Sequence, residues 1–259
     1  MQEKFLLALV VLSSIGILFI LAPIIALFIA VDPNILYKTW IKDPLLSSQA
    51  RNALLLTLEA AFTSSIFLTL IGIPLSYILT RYSFKGKNIV EAIIDLPLMI
   101  PHTVAGIMII LAYSRRGLLG PFLSFIGIRI EDSFWGIVAT MMFVSFPIMI
   151  DTLKLGYLSI NESIELVARS MGASRLNTFL KITLPLLVPS VAAGFLLSWA
   201  RAVSEVGAIL IVAYYPKSIN ILVFEWFNTY GLKYAVSLSF VLVLLSLIVF
   251  ILLKTVMKK

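Results

Sequence analysis

An all-α integral membrane protein with six transmembrane helices is the fold that the sequence predicts, on three observations. Hydrophobic residues make up 61% of the 259-residue chain and charged ones 13%, against roughly 45–50% and about 25% in soluble domains. Apolar runs recur that are long enough to cross the hydrocarbon core, which takes about 20 helical residues. The basic residues fall between those runs and form no single face. The net charge of +7 therefore reads as membrane orientation rather than as nucleic-acid binding.

The first run, Phe5 to Val31, ends at Asp32-Pro33. It exceeds the roughly 7–15 apolar residues of a signal peptide core and suits an uncleaved span. Pro23 is placed to kink it. Asn34 to Arg51 is mixed and is expected to be a loop or interfacial piece. Ala53 to Thr80 is the second span, followed by a short basic loop with Arg81, Lys85 and Lys87. The third, Ile89 to Tyr113, contains Asp95 to Gly106, DLPLMIPHTVAG. Two prolines four residues apart break regular hydrogen bonding there, and neighbouring helices must satisfy the freed groups. Arg115 to Ser133 is a glycine-rich loop, and the fourth span runs from about Phe134 to Leu155 with Pro147 and Asp151. A fifth span is expected to reach about Tyr214. Tyr214, Tyr215, Trp226 and Tyr230 then suit an interfacial aromatic belt. Tyr234 to about Leu253 is the sixth span, before Lys254, Lys258 and Lys259.

Six spans place both termini on one side, and basic residues are richer on that side, counting the Arg81–Lys87 loop and the segment after span four. The positive-inside rule makes this face cytoplasmic. The chain reads as one transmembrane domain, 1–259, with no soluble domain.

Between spans four and five lies a polar interlude, SINESIELVARSMGASRLNTFLKITLPLLVP, Ser159 to Pro189. Ile160, Ile164, Val167, Ala168 and Met171 recur at helical spacing, with Glu162, Glu165 and Arg169 opposite. Ser159 and Glu162 have the spacing of a capping box. Gly172 suits a left-handed helix stop, and Ser174 can cap a second short helix. The segment reads as helix, glycine hinge, helix. An ordinary surface loop, or a helix resting in the headgroups, fits the periodicity equally well.

Inside the fifth span, SWARAVSEVGA (Ser198 to Ala208) carries Arg201 and Glu205 four residues apart, on one helical face with Ser198. Charges within a span are costly and default to functional candidates. Two readings stand: the pair holds neighbouring helices in register, or its face, with Ser204, lines a path on which Arg201 meets an anion. His102 and Thr103, in the proline-rich turn, are placed to present donors beside it. A lone His is as readily a satisfied packing residue as a ligand.

Cysteine is absent and histidine occurs once, which excludes disulfides, thiolate metal sites and multi-histidine clusters. No nucleophile elbow, metal-ligand spacing or G-x-x-x-x-G-K-[ST] phosphate loop occurs, so nothing points to catalysis or to ATP binding by this chain.

The order Ala168, Gly172, Ala173, Phe179, Ile182, Leu184, Pro185 resembles the cytoplasmic signature loop of importer-type ABC permeases: E-A-A, three residues, G, nine residues, I-x-L-P. The match departs at its start, where Leu166 stands for Glu and Val167 for the first Ala. Glu165 lies one place earlier and is the candidate substitute. With DLPLMIPHTVAG and SWARAVSEVGAILIVAYYP, the likeness narrows to the molybdate/tungstate permease subunits of archaea, through nearly all six spans. Sulfate permeases are similar over the signature and S-E-x-G, less so at I-P-H-T-V-A-G.

That resemblance implies a homodimeric oxyanion pore in the plasma membrane, working by alternating access. It also implies an external oxyanion-binding protein and two cytoplasmic ATPase subunits that hold the ATP and Mg. The segment of about 159–185 then becomes a coupling helix, with Glu165, Val167, Ala168, Met171, Gly172, Ala173, Ile182, Leu184 and Pro185 at the ATPase contact. A sulfate permease is the near alternative. An ion-gradient carrier is the distant one, and Glu59, Asp95, Asp151 and Glu205 are scattered over four spans, unlike a proton relay.

Overall fold

A computed structural model describes residues 2–257, and Lys258 and Lys259 lie outside the described residues. The chain is helical throughout, with no strand among those residues. Among the described residues, five helices are long and apolar enough to cross a membrane, or six if one bent pair counts as a span. The chain divides into two compact units, residues up to Asn52 with Leu222–Val249, and Ala53–Ile221 with the residues from Phe250 onward.

In the first unit, α1 (Gln2–Ala30) is apolar on every side, and Pro23 lies within it without ending it. Asp32 starts α2 (Pro33–Tyr37) by accepting from the Asn34 amide at 3.0 Å, with proline at the first helical position. A π-helical turn, Lys38–Lys42, follows, so the expected loop is largely helical. Asp43 accepts from the Leu45 and Leu46 amides and starts α3 (Pro44–Arg81) nine residues before the predicted Ala53. A polar first turn, Ser47, Ser48, Gln49, masked that start. Thr39 and Ser237 hydroxyls meet at 2.6 Å, and Lys38 Nζ donates to the Tyr234 hydroxyl at 3.2 Å. That bond, more than the nearby Asp43, raises the Lys38 pKa above its ordinary value.

In the second unit, α4 (Lys87–Asp95) passes through a 3₁₀ turn, Leu96–Leu98, and Pro101 opens α5 (His102–Tyr113). The chain bends by 118° between these two helices. The break expected of the third run thus falls at its two prolines, which remove amide donors, and the pair is either one broken span or a re-entrant segment. The short α6 (Gly120–Phe125) precedes α7 (Phe134–Ser159), whose first turn is capped by Ser133 accepting from Gly136 N at 3.1 Å. Leu68, Met149, Leu153, Tyr157, Ile160 and Leu187 form a buried apolar cluster. The Tyr157 hydroxyl donates to the Ile73 carbonyl and Ser76 to that of Ile150, fixing α3 against α7.

The remaining helices are α8 (Glu162–Ser170), α9 (Arg175–Thr178), α10 (Leu184–Val203), α11 (Gly207–Val212), α12 (Ile219–Tyr230) and α13 (Leu232–Met257). A π-helical turn, Phe179–Thr183, joins α9 to α10. Three expectations change. The capping box at Ser159 does not form: Ser159 closes α7, its hydroxyl donating to Gly156 O, and Asn161 caps α8 by accepting from Ser163 N. The fifth span does not run to Tyr214, because the helix stops at Val203 and resumes at Gly207. Trp226 and Tyr230 lie on α12, with Trp226 buried beside the Tyr230 and Tyr234 rings, so Trp226 is a packing residue and not part of an exposed belt.

Candidate functional site: a surface hairpin and a charged cluster

Two constellations within the second unit carry the sequence candidates. The first is the α8–α9 hairpin. Gly172 sits at φ +92°, the left-handed conformation that a glycine stop requires. Ser174 caps α9 by accepting from Asn177 N at 3.2 Å. Glu165 points inward and is almost fully buried. Arg81, in the last turn of α3, donates to its Oε1 through Nη2 at 3.1 Å and Nε at 3.3 Å. The same guanidinium reaches the Ile160 carbonyl at 3.0 Å and Glu162 at 3.3 Å, and Tyr77 donates to Glu165 Oε2 at 3.3 Å. The Phe179 ring packs on Tyr77 with centroids 5.1 Å apart.

The usual amphipathic arrangement is thereby reversed. The acid faces the protein, while Ile164, Leu166, Val167 and Met171 face outward, Met171 83% exposed. Ala168, Ala173, Ile182 and Leu184 are half-buried, and Gly172 and Pro185 exposed. Sequence reasoning missed Arg81 and Tyr77 as the partners of Glu165. Their one signal was a basic residue at the end of an apolar run, and a separation of more than eighty residues hid the pairing.

The second constellation gathers at the break between α10 and α11. Arg201 Nη2 donates to Glu205 Oε2 at 3.0 Å, and His102 Nδ1 approaches the same oxygen at 2.8 Å. That second contact requires the proton on Nδ1. Arg201 Nη2 also lies 3.2 and 3.3 Å from the two His102 ring nitrogens, and its Nη1 donates to Ser204 Oγ at 3.3 Å. Glu205 Oε1 accepts from Ala208 N at 2.9 Å, which starts α11. Asn220 donates to the carbonyls of Val203 (2.7 Å) and Glu205 (3.0 Å), satisfying main-chain acceptors that the break leaves open.

Burial within the cluster is graded: Glu205 is 1% exposed at its side chain, Arg201 22% and His102 48%. A fixed buried acid thus carries two donors that reach toward open space, beside exposed Thr103 and Ser204. Ser198 does not join them. It is buried and donates to Phe195 O on its own helix. Asn220, which closes the break, had no signal in the sequence.

Two glycines allow the close approach of α5 and α11. A Cβ on Gly207 would lie 2.8 Å from His102 Cβ, and one on Gly106 would lie 2.8 Å from both Ala208 O and Ile211 Cβ. Gly207→Ala must push His102 off Glu205. The expected cost is about 1–3 kcal/mol from overpacking, read as a lower melting temperature in detergent. An unchanged melting temperature would show that the helices yield freely.

Long apolar helices, a helix break that carries the Arg201–Glu205 ion pair and a hairpin at one span end define a multi-pass membrane protein. Residues 72–259 match the family described as binding-protein-dependent transport system inner membrane component. The chain belongs to that family and is a pore subunit of the ABC importer type. It is 44% identical over 250 residues to the molybdate/tungstate transport system permease protein WtpB of Pyrococcus abyssi, covering 96% of this chain and 94% of that one. Identity to the protein of the same name from Methanocaldococcus jannaschii is 42%, covering 98% and 97%. A probable sulfate transport system permease protein of Nephroselmis olivacea is 32% identical, covering 76% and 71%. Among solved structures, a bacterial ABC transporter involved in import of the acidic polysaccharide alginate matches with TM-score 0.72 and 18% identity, over 99% of this chain and 96% of that one. The MetNI methionine ABC transporter, in an inward-facing conformation, matches with TM-score 0.65 and 18% identity, over 83% and 97%. These two show a shared fold.

Proposed function

We propose that this chain forms, as a homodimer with six spans per copy, the plasma-membrane pore through which molybdate or tungstate is imported. Its α8–α9 hairpin docks on a cytoplasmic ATPase. The observation that carries the reading is the reversed hairpin: one buried ion pair holds α8 to α3 while its apolar residues face outward, unpartnered. A helix presented in this way suits a partner's groove, with Val167, Ala168 and Met171 as anchors and Gly172 allowing close backbone approach. Pinned through Arg81, Tyr77 and Phe179, the hairpin passes motion of the partner to α3 and α10 as a rigid-body shift. ATP and Mg are held by two copies of that partner, and an external binding protein delivers the oxyanion. Both termini are cytoplasmic on this reading, as the lysines and arginines around them suggest.

The names of the relatives at 42–44% identity support the substrate class. The cluster of His102, Arg201 and Glu205 supports a path for a tetrahedral dianion, which needs polar donors but no deep well, since tight binding in a pore slows release. Glu205 offsets Arg201 at rest. Withdrawal of either during alternating access would expose a cation to the anion, with Thr103 and Ser204 beside it.

Pull-down of the cognate ATPase by the full chain tests the docking. Gly172→Glu and Val167→Asp are each expected to abolish capture while leaving the chain inserted in membranes. Undiminished capture by both would overturn the hairpin's role. Vesicle uptake with the reconstituted ATPase and binding protein, comparing tungstate, molybdate and sulfate, tests the substrate. Preference for sulfate would move the chain to the sulfate class.

A further inference from the structure

At the other end of α7 from the hairpin, the loop joining α5 to α7 lines an open cavity of about 500 Å³, bordered on its polar side by Arg115, Arg129, Ser124 and Glu131. The carboxylate of Glu131 is committed to the main chain, its Oε1 accepting from Arg115 N at 2.8 Å. Both arginines are exposed, and among the described residues neither has an acidic partner within ion-pairing distance. With two guanidiniums against the one carboxylate, the lining keeps a net positive charge that favours an anion.

The same loop carries the opposite chemistry on its outside. Leu118 is 85% exposed, Phe125 88% and Phe122 63%. Exposed Trp135 begins the span that follows, and a tryptophan at a span end marks the level of the headgroups.

We propose that this cavity binds the phosphate of an anionic lipid, with Arg115 and Arg129 on the phosphate and α6 as a wedge in the acyl region. Adjacent apolar and basic residues decide between possible anions. A free dianion gains nothing from Leu118, Phe122 and Phe125, whereas a lipid satisfies the guanidiniums and the apolar side chains together. Ser124, on the cavity side of α6, adds a hydroxyl donor. The inference rests on the membrane reading alone and not on the substrate of transport.

Native mass spectrometry of the full-length chain, released from mixed micelles of phosphatidylglycerol and phosphatidylcholine, provides the test. One phosphatidylglycerol per chain is expected to be retained in preference. Each arginine at an anionic surface is worth roughly fivefold, so Arg115→Gln with Arg129→Gln should lower retention about twenty-five-fold. The double lysine variant should keep most of it, and Arg175→Gln, at the hairpin, should change nothing. Phe122→Ser with Phe125→Ser should also weaken retention while the charges stay. Circular dichroism confirms that each variant is folded. Equal retention by wild type and the double glutamine variant would overturn the site. Displacement of the lipid by millimolar tungstate or sulfate, or indifference to the phenylalanine changes, would make it a free-anion site instead.

Discussion

Arg81→Leu is expected to release the α8–α9 hairpin. The substitution strands Glu165, which is 11% exposed at its side chain, without its cation, and it removes donors to the Ile160 carbonyl and Glu162. Breaking a buried pair from one side costs about 3–5 kcal/mol, because the remaining charge is left desolvated. The loss falls on the hairpin first, since Arg81 is its main polar tie to α3. Trypsin cleavage after Arg169 and Arg175 should rise by orders of magnitude if that local free energy disappears. The long helices should stay protected. Removing both charges, Arg81→Leu with Glu165→Leu, should restore much of the protection, because paired removal leaves no orphan. Cleavage unchanged by the single variant would mean that the Phe179–Tyr77 packing holds the hairpin by itself. In transport assays the ATPase reconstituted with the single variant should hydrolyse ATP with little uptake.

Glu205→Ala is the second change with a large expected effect. Glu205 receives Arg201, His102 and the Ala208 amide at once, so its loss orphans a partly buried guanidinium and the first turn of α11. A cost of about 3–5 kcal/mol is expected, as for other one-sided removals. The measurable outcome is a lower melting temperature together with loss of oxyanion uptake. Exchanging the two charges, Arg201→Glu with Glu205→Arg, should rescue either single exchange only in part. An arginine at 205 cannot accept from Ala208 N, and it would face the His102 proton. Full rescue would show that the i, i+4 pair matters solely as a pair. Arg201→Lys separates the roles further: a lysine keeps the charge but loses the fork that spans Glu205, His102 and Ser204. Retained stability with reduced uptake is the outcome expected of a path residue.

Much of this was legible in the sequence because lipid forces it. Apolar runs of span length give helices, and a proline pair gives a break, since backbone groups in hydrocarbon have few other solutions. Gly172 and Ser174 were readable because a left-handed stop and an N-cap each demand a narrow choice of side chain. His102, Arg201 and Glu205 were found as costly charges and one neighbouring ring, and the structure brings them within hydrogen-bond distance. What stayed hidden depends on distant pairing or on polar runs that only tertiary contacts make helical. Arg81 and Asn220 act on partners elsewhere in the chain. The Ser47–Gln49 turn and α12 carry Ser, Asn and Glu, residues that alone read as loop. Ser198 shared a helical face with Arg201 on the wheel but turned its hydroxyl to its own backbone, as serines within helices do.

The 118° bend between α4 and α5 fixes a depth. Both arms cannot stand along the bilayer normal, and α5, with 12 residues, is about 18 Å long at 1.5 Å per residue. Upright, with Tyr113 at the headgroup boundary, α5 lowers His102 a little past the midpoint of a hydrocarbon layer about 30 Å thick. The single histidine would then stand near the middle of the barrier, where an ion's self-energy peaks and a protein counter-charge does the most to lower it.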